Sequence, residues 1–293
     1  MAAGGLSRSA WVFVLALLFA AAVFHAGWNL LLKQVEEKHI ATWWALVASA
    51  ACSLPVLAFS PISIIAVWPY VLASAILEAL YYSVLAQAYR YGDFSLVYPI
   101  ARGAAPALLA IWSVLVLGER LQPLGVMGLG LVVGGLVVVG SSAWLSQRRL
   151  AVGRASVVLA LCVAVCISFY SVIDGAAVKH NPPAGYTTLI FAATTALLTP
   201  VVIARHGLPA VVGEWKRRWR RLVAIGLLTF LAYSLVLTAY SLAQISYVGA
   251  IREVSIVVGA VAGWRLLGEE LGKVRVIGAI VVFAGILVIA LQA

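Results

Sequence analysis

The sequence predicts an all-α polytopic membrane protein: ten transmembrane helices arranged as two inverted five-helix repeats around a central cavity. Three observations predict it. The 293-residue chain is 64% hydrophobic and only 10% charged, too little polar material to cover a soluble domain of this length. Apolar stretches of about 20 residues, long enough to cross a bilayer, follow one another along the whole chain. Features of the first half also recur in the second at an offset of 150 residues.

The first apolar run begins after Arg8 and reaches Leu32. That is longer than the h-region of a signal peptide, roughly 7–15 residues, so it reads as a retained span over 10–32. Spans over 41–59, 64–89, 95–117 and 121–144 complete the first five; 155–178, 184–204, 222–243, 246–266 and 273–291 make the second five. Connectors are short, so consecutive helices should be antiparallel neighbours. Two carry dense charge: Gln147-Arg148-Arg149 with Arg154, and Trp215-Lys216-Arg217-Arg218-Trp219-Arg220-Arg221. The former divides the chain into a first repeat over 1–146, a basic connector over 147–154 and a second repeat over 155–293.

The repeats agree in detail. Leu117-Gly118-Glu119-Arg120-Leu121 matches Leu267-Gly268-Glu269-Glu270-Leu271, Gly128 and Gly135 match Gly278 and Gly285, and Arg102 matches Arg252. Ala88-Tyr89 matches Ala239-Tyr240 with one residue of slippage. Five is an odd number, so the second copy enters the membrane in the opposite sense, a common transporter plan with the site near the midplane.

Net charge is +10, but the basic residues sit in connectors, where they fix orientation rather than bind nucleic acid. Leaving out Arg102 and Arg252, 15 of 18 Lys and Arg residues fall on the side of connectors 1–2, 3–4, 5–6, 7–8 and 9–10. This bias puts those connectors in the cytoplasm and both termini outside. Cys52, Cys162 and Cys166 lie in apolar segments without histidine partners at ligand spacing, so buried thiols are expected, with no metal or other cofactor.

The two Leu-Gly-Glu turns, each followed by a glycine-rich closing helix, resemble the ten-helix EamA-type branch of the drug/metabolite transporter superfamily. So does Tyr91-Gly92-Asp93-Phe94-Ser95-Leu96-Val97-Tyr98-Pro99-Ile100-Ala101-Arg102-Gly103 where span 4 begins, and His25-Ala26-Gly27-Trp28-Asn29 in span 1. The last pattern, with Glu78-Ala79-Leu80-Tyr81-Tyr82, is also similar to a subgroup associated with phosphonate utilisation. The resemblance implies a basket of ten helices that moves metabolites by alternating access, in a bacterial inner membrane, as a monomer or homodimer. The charge bias departs from the family's usual topology, in which the termini are inside.

Charge at membrane depth costs about 3 kcal/mol or more, so it marks a site. Arg102 and Arg252 are the first candidates, because a guanidinium fork fits carboxylate or phosphonate oxygens. Arg102 follows Pro99, and Gly249 takes the place of Pro99 before Arg252, so each arginine is expected beside loosened backbone. The alternative for the arginines is internal pairing, Arg102 with Glu78 and Arg252 with Glu253 or Asp174. Glu78, at mid-span, could bind a substrate ammonium, carry a coupling proton or act as that counter-ion. Asp174 aligns near Trp28, since Lys179 then falls on Lys33. His25 and Asn29 share one face of span 1, where histidine either relays protons or makes one interhelical hydrogen bond. Tyr82 and Tyr98, each one turn from a charge, are the preferred cavity tyrosines, with Trp28 nearby.

The Gly-Glu turns read as a helix-closing glycine and a carboxylate capping the next helix, and Asp93 and Ser95 as caps of span 4. Gly128, Gly130, Gly134 and Gly135 read as small-residue packing between the closing helices. Trp43, Trp44, Trp68, Trp215 and Trp219 read as interfacial anchors. The whole suggests a secondary carrier of a small anionic or zwitterionic metabolite, amino-acid-like in the first place and an aminophosphonate in the second. Without a nucleotide-binding motif, an ion gradient, exchange or downhill flow would drive it. Two other classes compete. An intramembrane enzyme or lipid-handling protein would need a nucleophile–base pair that the sequence does not offer, and a sensor or assembly subunit would bind without flux.

Overall fold

The computed structural model describes residues 8–117, 123–145, 150–242, 248, 252–269 and 271–290. These residues form ten α-helices and no strand. The first five are α1 (Arg8–Lys33), α2 (Lys38–Ala58), α3 (Ile64–Tyr91), α4 (Phe94–Leu117) and α5 (Pro123–Leu145). The second five are α6 (Leu150–Ala177), α7 (Pro183–His206), α8 (Leu208–Leu242), α9 (Val254–Leu267) and α10 (Gly272–Ala290). Eight are long and apolar enough to cross a membrane. Of the other two, α4 has 24 residues and α9 has 14. Among the expected features, positions 118–120, 147–149, 247 and 249 lie outside the described residues.

The most extensive packing contacts map onto themselves when each helix is exchanged for the one five places on. α3 packs on α6 as α8 packs on α1, and α4 on α6 as α9 on α1. α2 meets α8 as α7 meets α3, while α2 pairs with α7 and α5 with α10 across the pseudo-axis. The sequence repeat is thus a repeat of contacts. Outside, Phe13, Phe19, Ile65, Ile76, Leu80, Val137, Val172, Val201 and Ile277 are all exposed, an apolar surface suited to lipid.

The α5–α10 seam rests on four glycines. A Cβ on Gly128 would lie 2.8 Å from the Gly285 carbonyl oxygen, and one on Gly135 would lie 2.7 Å from the Gly278 carbonyl oxygen. Gly130 and Gly134 face open space. Half of the expected glycine set therefore packs the closing helices, the pair spaced by two helical turns.

Two expected elements change form. The basic run around Trp215 is not a loose connector: it continues α8, which breaks only at Arg218 (φ −136°, ψ 17°). Buried Glu214 offsets one charge of the run, pairing with Arg217 at 2.7 Å and Arg218 at 3.4 Å. The Trp215 ring packs 4.5 Å from that of Trp44, whose Nε1 donates to the Val211 carbonyl. Trp43 donates to Thr199, so these three tryptophans tie α2 to α7 and α8 rather than anchor it at an interface; Trp68 and Trp219 are exposed. In the ninth span, expected over 246–266, a turn at Glu253 separates the helical Arg252 from the helix Val254–Leu267, and positions 246–247 and 249–251 lie outside the described residues. The expectation of three buried thiols is also corrected, because Cys52 and Cys162 are exposed on outward faces and only Cys166 is buried.

Candidate functional site

Arg102 lies in α4, one turn after Pro99, and α4 stays helical through both Pro99 and Pro106. The expected loosened backbone is therefore absent at Arg102; Arg252 directly precedes the turn at Glu253, while Gly249, on which the expectation there rested, lies outside the described residues. The two guanidinium groups meet on one oxygen. Arg102 Nη2 donates to Glu253 Oε1 at 2.8 Å, and Arg252 Nε donates to the same atom at 3.0 Å. Arg252 Nη2 also reaches Ser171 Oγ at 3.4 Å, and its guanidinium lies 5.8 Å from the centre of the Tyr240 ring. All three charged groups are buried, Glu253 completely. Two cations sharing one carboxylate leave one excess positive charge.

That geometry keeps the alternative that paired Arg252 with Glu253 and removes the one that paired Arg102 with Glu78. Glu78 instead accepts one hydrogen bond, from Thr194 Oγ1 at 3.3 Å, and makes no ion pair among the described residues. Asp174 is not a partner of Arg252 either. Its oxygens accept from the Tyr186 hydroxyl at 2.8 Å and from the Tyr233 hydroxyl, tying α6 to α7 and α8. The preference follows from distance along the chain: Glu253 is adjacent to Arg252 and needs no second helix to reach it.

Near the arginines lies a narrow cavity of about 10 Å³, room for about one water molecule. α1 contributes His25 and Trp28, α3 contributes Glu78, Tyr81 and Tyr82, and the second half contributes Tyr170, Phe191, Thr229 and Tyr233. Tyr170 lies within electrostatic reach of Arg102 and Arg252 and also of Glu78 and Asp174. A second crevice, about 70 Å³, is lined by His39 and Thr42 of α2, Arg205 and His206 of α7, and Tyr82, which thus faces both spaces.

Of the residues singled out from the sequence, His25, Trp28, Glu78 and Tyr82 come together around the cavity, and the arginines stand beside it. His25 Nδ1 accepts from Trp28 Nε1 at 3.4 Å, while its Nε2 is buried without a partner. Asn29 is turned away: it accepts from the Tyr89 hydroxyl at 2.7 Å and donates to the His25 carbonyl at 2.8 Å, joining α1 to α3. Tyr98 stacks on Phe94 with centroids 5.0 Å apart, does not line the cavity, and keeps an unpartnered hydroxyl. Asp174 lies behind Tyr233. Sequence reasoning passed over Phe191 and Thr229, which carry no charge or repeat mark. It also passed over Arg275.

Arg275 is almost wholly buried at one end of the molecule. Its Nη1 donates to Asp93 Oδ2 at 3.0 Å and to Ser95 Oγ at 2.8 Å, and its Nε donates to Ser142 Oγ at 2.9 Å. Glu269 completes the cluster. Gly268 does close α9 in the left-handed conformation (φ 64°), but the Glu269 carboxylate does not cap the following helix. It accepts from the Phe94 and Ser95 amides at 2.6 and 2.7 Å, capping α4 of the other repeat, so Asp93 and Ser95 serve Arg275 instead of that cap. The signal was available: Arg275 falls inside the apolar run of span 10, where the matching position of the first repeat is Gly125. Arg275→Gln is expected to destabilise the protein by about 3 kcal/mol, because it leaves buried acceptors and Glu269 without their cation; a melting curve in detergent checks it.

No curated protein matches this chain. A solved crystal structure of a protein with 18% identity superposes with a TM-score of 0.67, covering 96% of this chain and 98% of its own. At that identity the likeness is one of fold alone. The family model for the EamA-like transporter family matches twice, over residues 12–141 and 154–291. Those two matches fall on the same halves that the packing network exchanges, and the chain belongs to the EamA-like transporter family.

Proposed function

We propose that this protein is a secondary carrier of a small zwitterionic or anionic metabolite, amino-acid-like in the first instance, working by alternating access. One observation carries the reading. The molecule's centre holds both signs of charge, Arg102 and Arg252 on Glu253 and the acid Glu78 apart from them, all within electrostatic reach of Tyr170. An acid group would bind the guanidinium groups, an ammonium would face Glu78, and the rings would cover a short aliphatic body. Glu78 is also the group placed to carry a coupling proton, since its one partner is a neutral hydroxyl. An aminophosphonate satisfies the same two ends. The Lys and Arg bias supports placing both termini outside a bacterial inner membrane.

The test is thermal stabilisation of the detergent-purified protein by amino acids, aminophosphonates, sugar phosphates, polyamines and aromatic cations. The reading expects stabilisation by compounds that bear an acid group, lost in Arg102→Ala, and flux of the same compounds in liposomes. Stabilisation by cations alone, abolished by Glu78→Gln, would overturn the substrate class. Binding without flux would make the protein a sensor.

A further inference from the structure

Glu253 holds its carboxylate where an incoming acid group would have to sit. One oxygen bridges both buried arginines, while the other, Oε2, is buried without a partner, and so is Arg102 Nε. A carboxylate fixed there only to neutralise an arginine would use both oxygens, the arrangement that gives guanidinium pairs their strength. Here the pair is half-made on each side, and one positive charge remains in excess in an apolar interior. The residue also stands at a turn, between the helical Arg252 and α9, and its side chain makes no cap on that helix.

From this geometry, and resting on the arginine site proposed above, we infer that Glu253 is a resident anion that the acid group of the transported compound displaces. The ligand class is a small molecule with a carboxylate, phosphonate or phosphate oxygen to place between Arg102 and Arg252. Loading exchanges one oxyanion for another between the arginines, at constant charge when the incoming group is a carboxylate. Unloading is assisted by the return of Glu253, which keeps an anion from being held too tightly by two buried cations.

Removing the competitor should therefore strengthen binding while slowing release. The experiment titrates L-alanine, L-glutamate, 2-aminoethylphosphonate and inorganic phosphate into detergent-purified wild type, Glu253→Gln, Glu253→Asp and Arg102→Ala. Tryptophan fluorescence gives the readout, because Trp28 lines the cavity. At least one acid probe is expected to bind Glu253→Gln about tenfold or more tighter than wild type, equivalent to about 1.4 kcal/mol. That probe should not bind Arg102→Ala, and its exchange in liposomes should be slower in the Gln variant. Glu253→Asp keeps the charge but withdraws it by one methylene, and should tighten binding less; it preserves the test if the Gln variant does not fold. A probe that binds only once Glu253 is replaced also supports the inference. Equal or weaker binding to both Glu253 variants, with wild-type binding still lost in Arg102→Ala, overturns it and leaves the arginine site standing. If no probe binds any variant, the arginine site falls, and this inference falls with it.

Discussion

Arg102→Ala is expected to abolish stabilisation by acid-bearing ligands and, in the same protein, to lower thermal stability. Glu253 would keep only Arg252, and its buried carboxylate would lose the 2.8 Å bond that joins the repeats at the site. Breaking a buried ion pair from one side costs about 3–5 kcal/mol, because the remaining group stays desolvated. Two effects are therefore mixed in one variant, and a second variant separates them. Arg102→Lys keeps a buried cation for Glu253 but not the guanidinium fork, so its melting temperature should recover most of the loss while its response to acid ligands stays weakened. A lysine variant that melts as low as Arg102→Ala would show that Arg102 serves the fold by the shape of its side chain rather than by charge.

The second large effect is expected at the seam of the closing helices. In Gly135→Leu the Cβ alone would lie 2.7 Å from a backbone carbonyl and 2.8 Å from the Val282 amide nitrogen, and neither can rotate aside. The α5–α10 pair would have to part, losing close backbone packing that lipid does not replace. A destabilisation of about 3 kcal/mol is expected. Gly130→Ala on the same helix meets no atom within 4 Å and should be neutral or slightly stabilising, because alanine is the better helix former. Comparing the two melting curves tests the seam against a general effect of adding bulk to α5.

The repeat, the helix count and the cavity-facing role of span 1 were legible because they rest on composition and fixed offsets. What pairs with what was less legible. Arg102 could have been matched with Glu78 from sequence, since both lie at mid-span, but which acid reaches a guanidinium depends on where helices cross. The reach of Glu269 to α4 was hidden for the same reason: a local motif that closes one helix puts its carboxylate on a helix of the other repeat. Arg275 was obscured by its position three residues into span 10, where it read as one more connector charge.

That cluster has a kinetic consequence. Its arginine has a glycine counterpart, Gly125, so the repeat does not supply this buried cation twice. Detailed balance forbids such a difference from setting the direction of net flux through a passive carrier. In the carrier proposed above it would set instead which face the unloaded protein presents for most of its cycle, and so which compartment sees the lower KM.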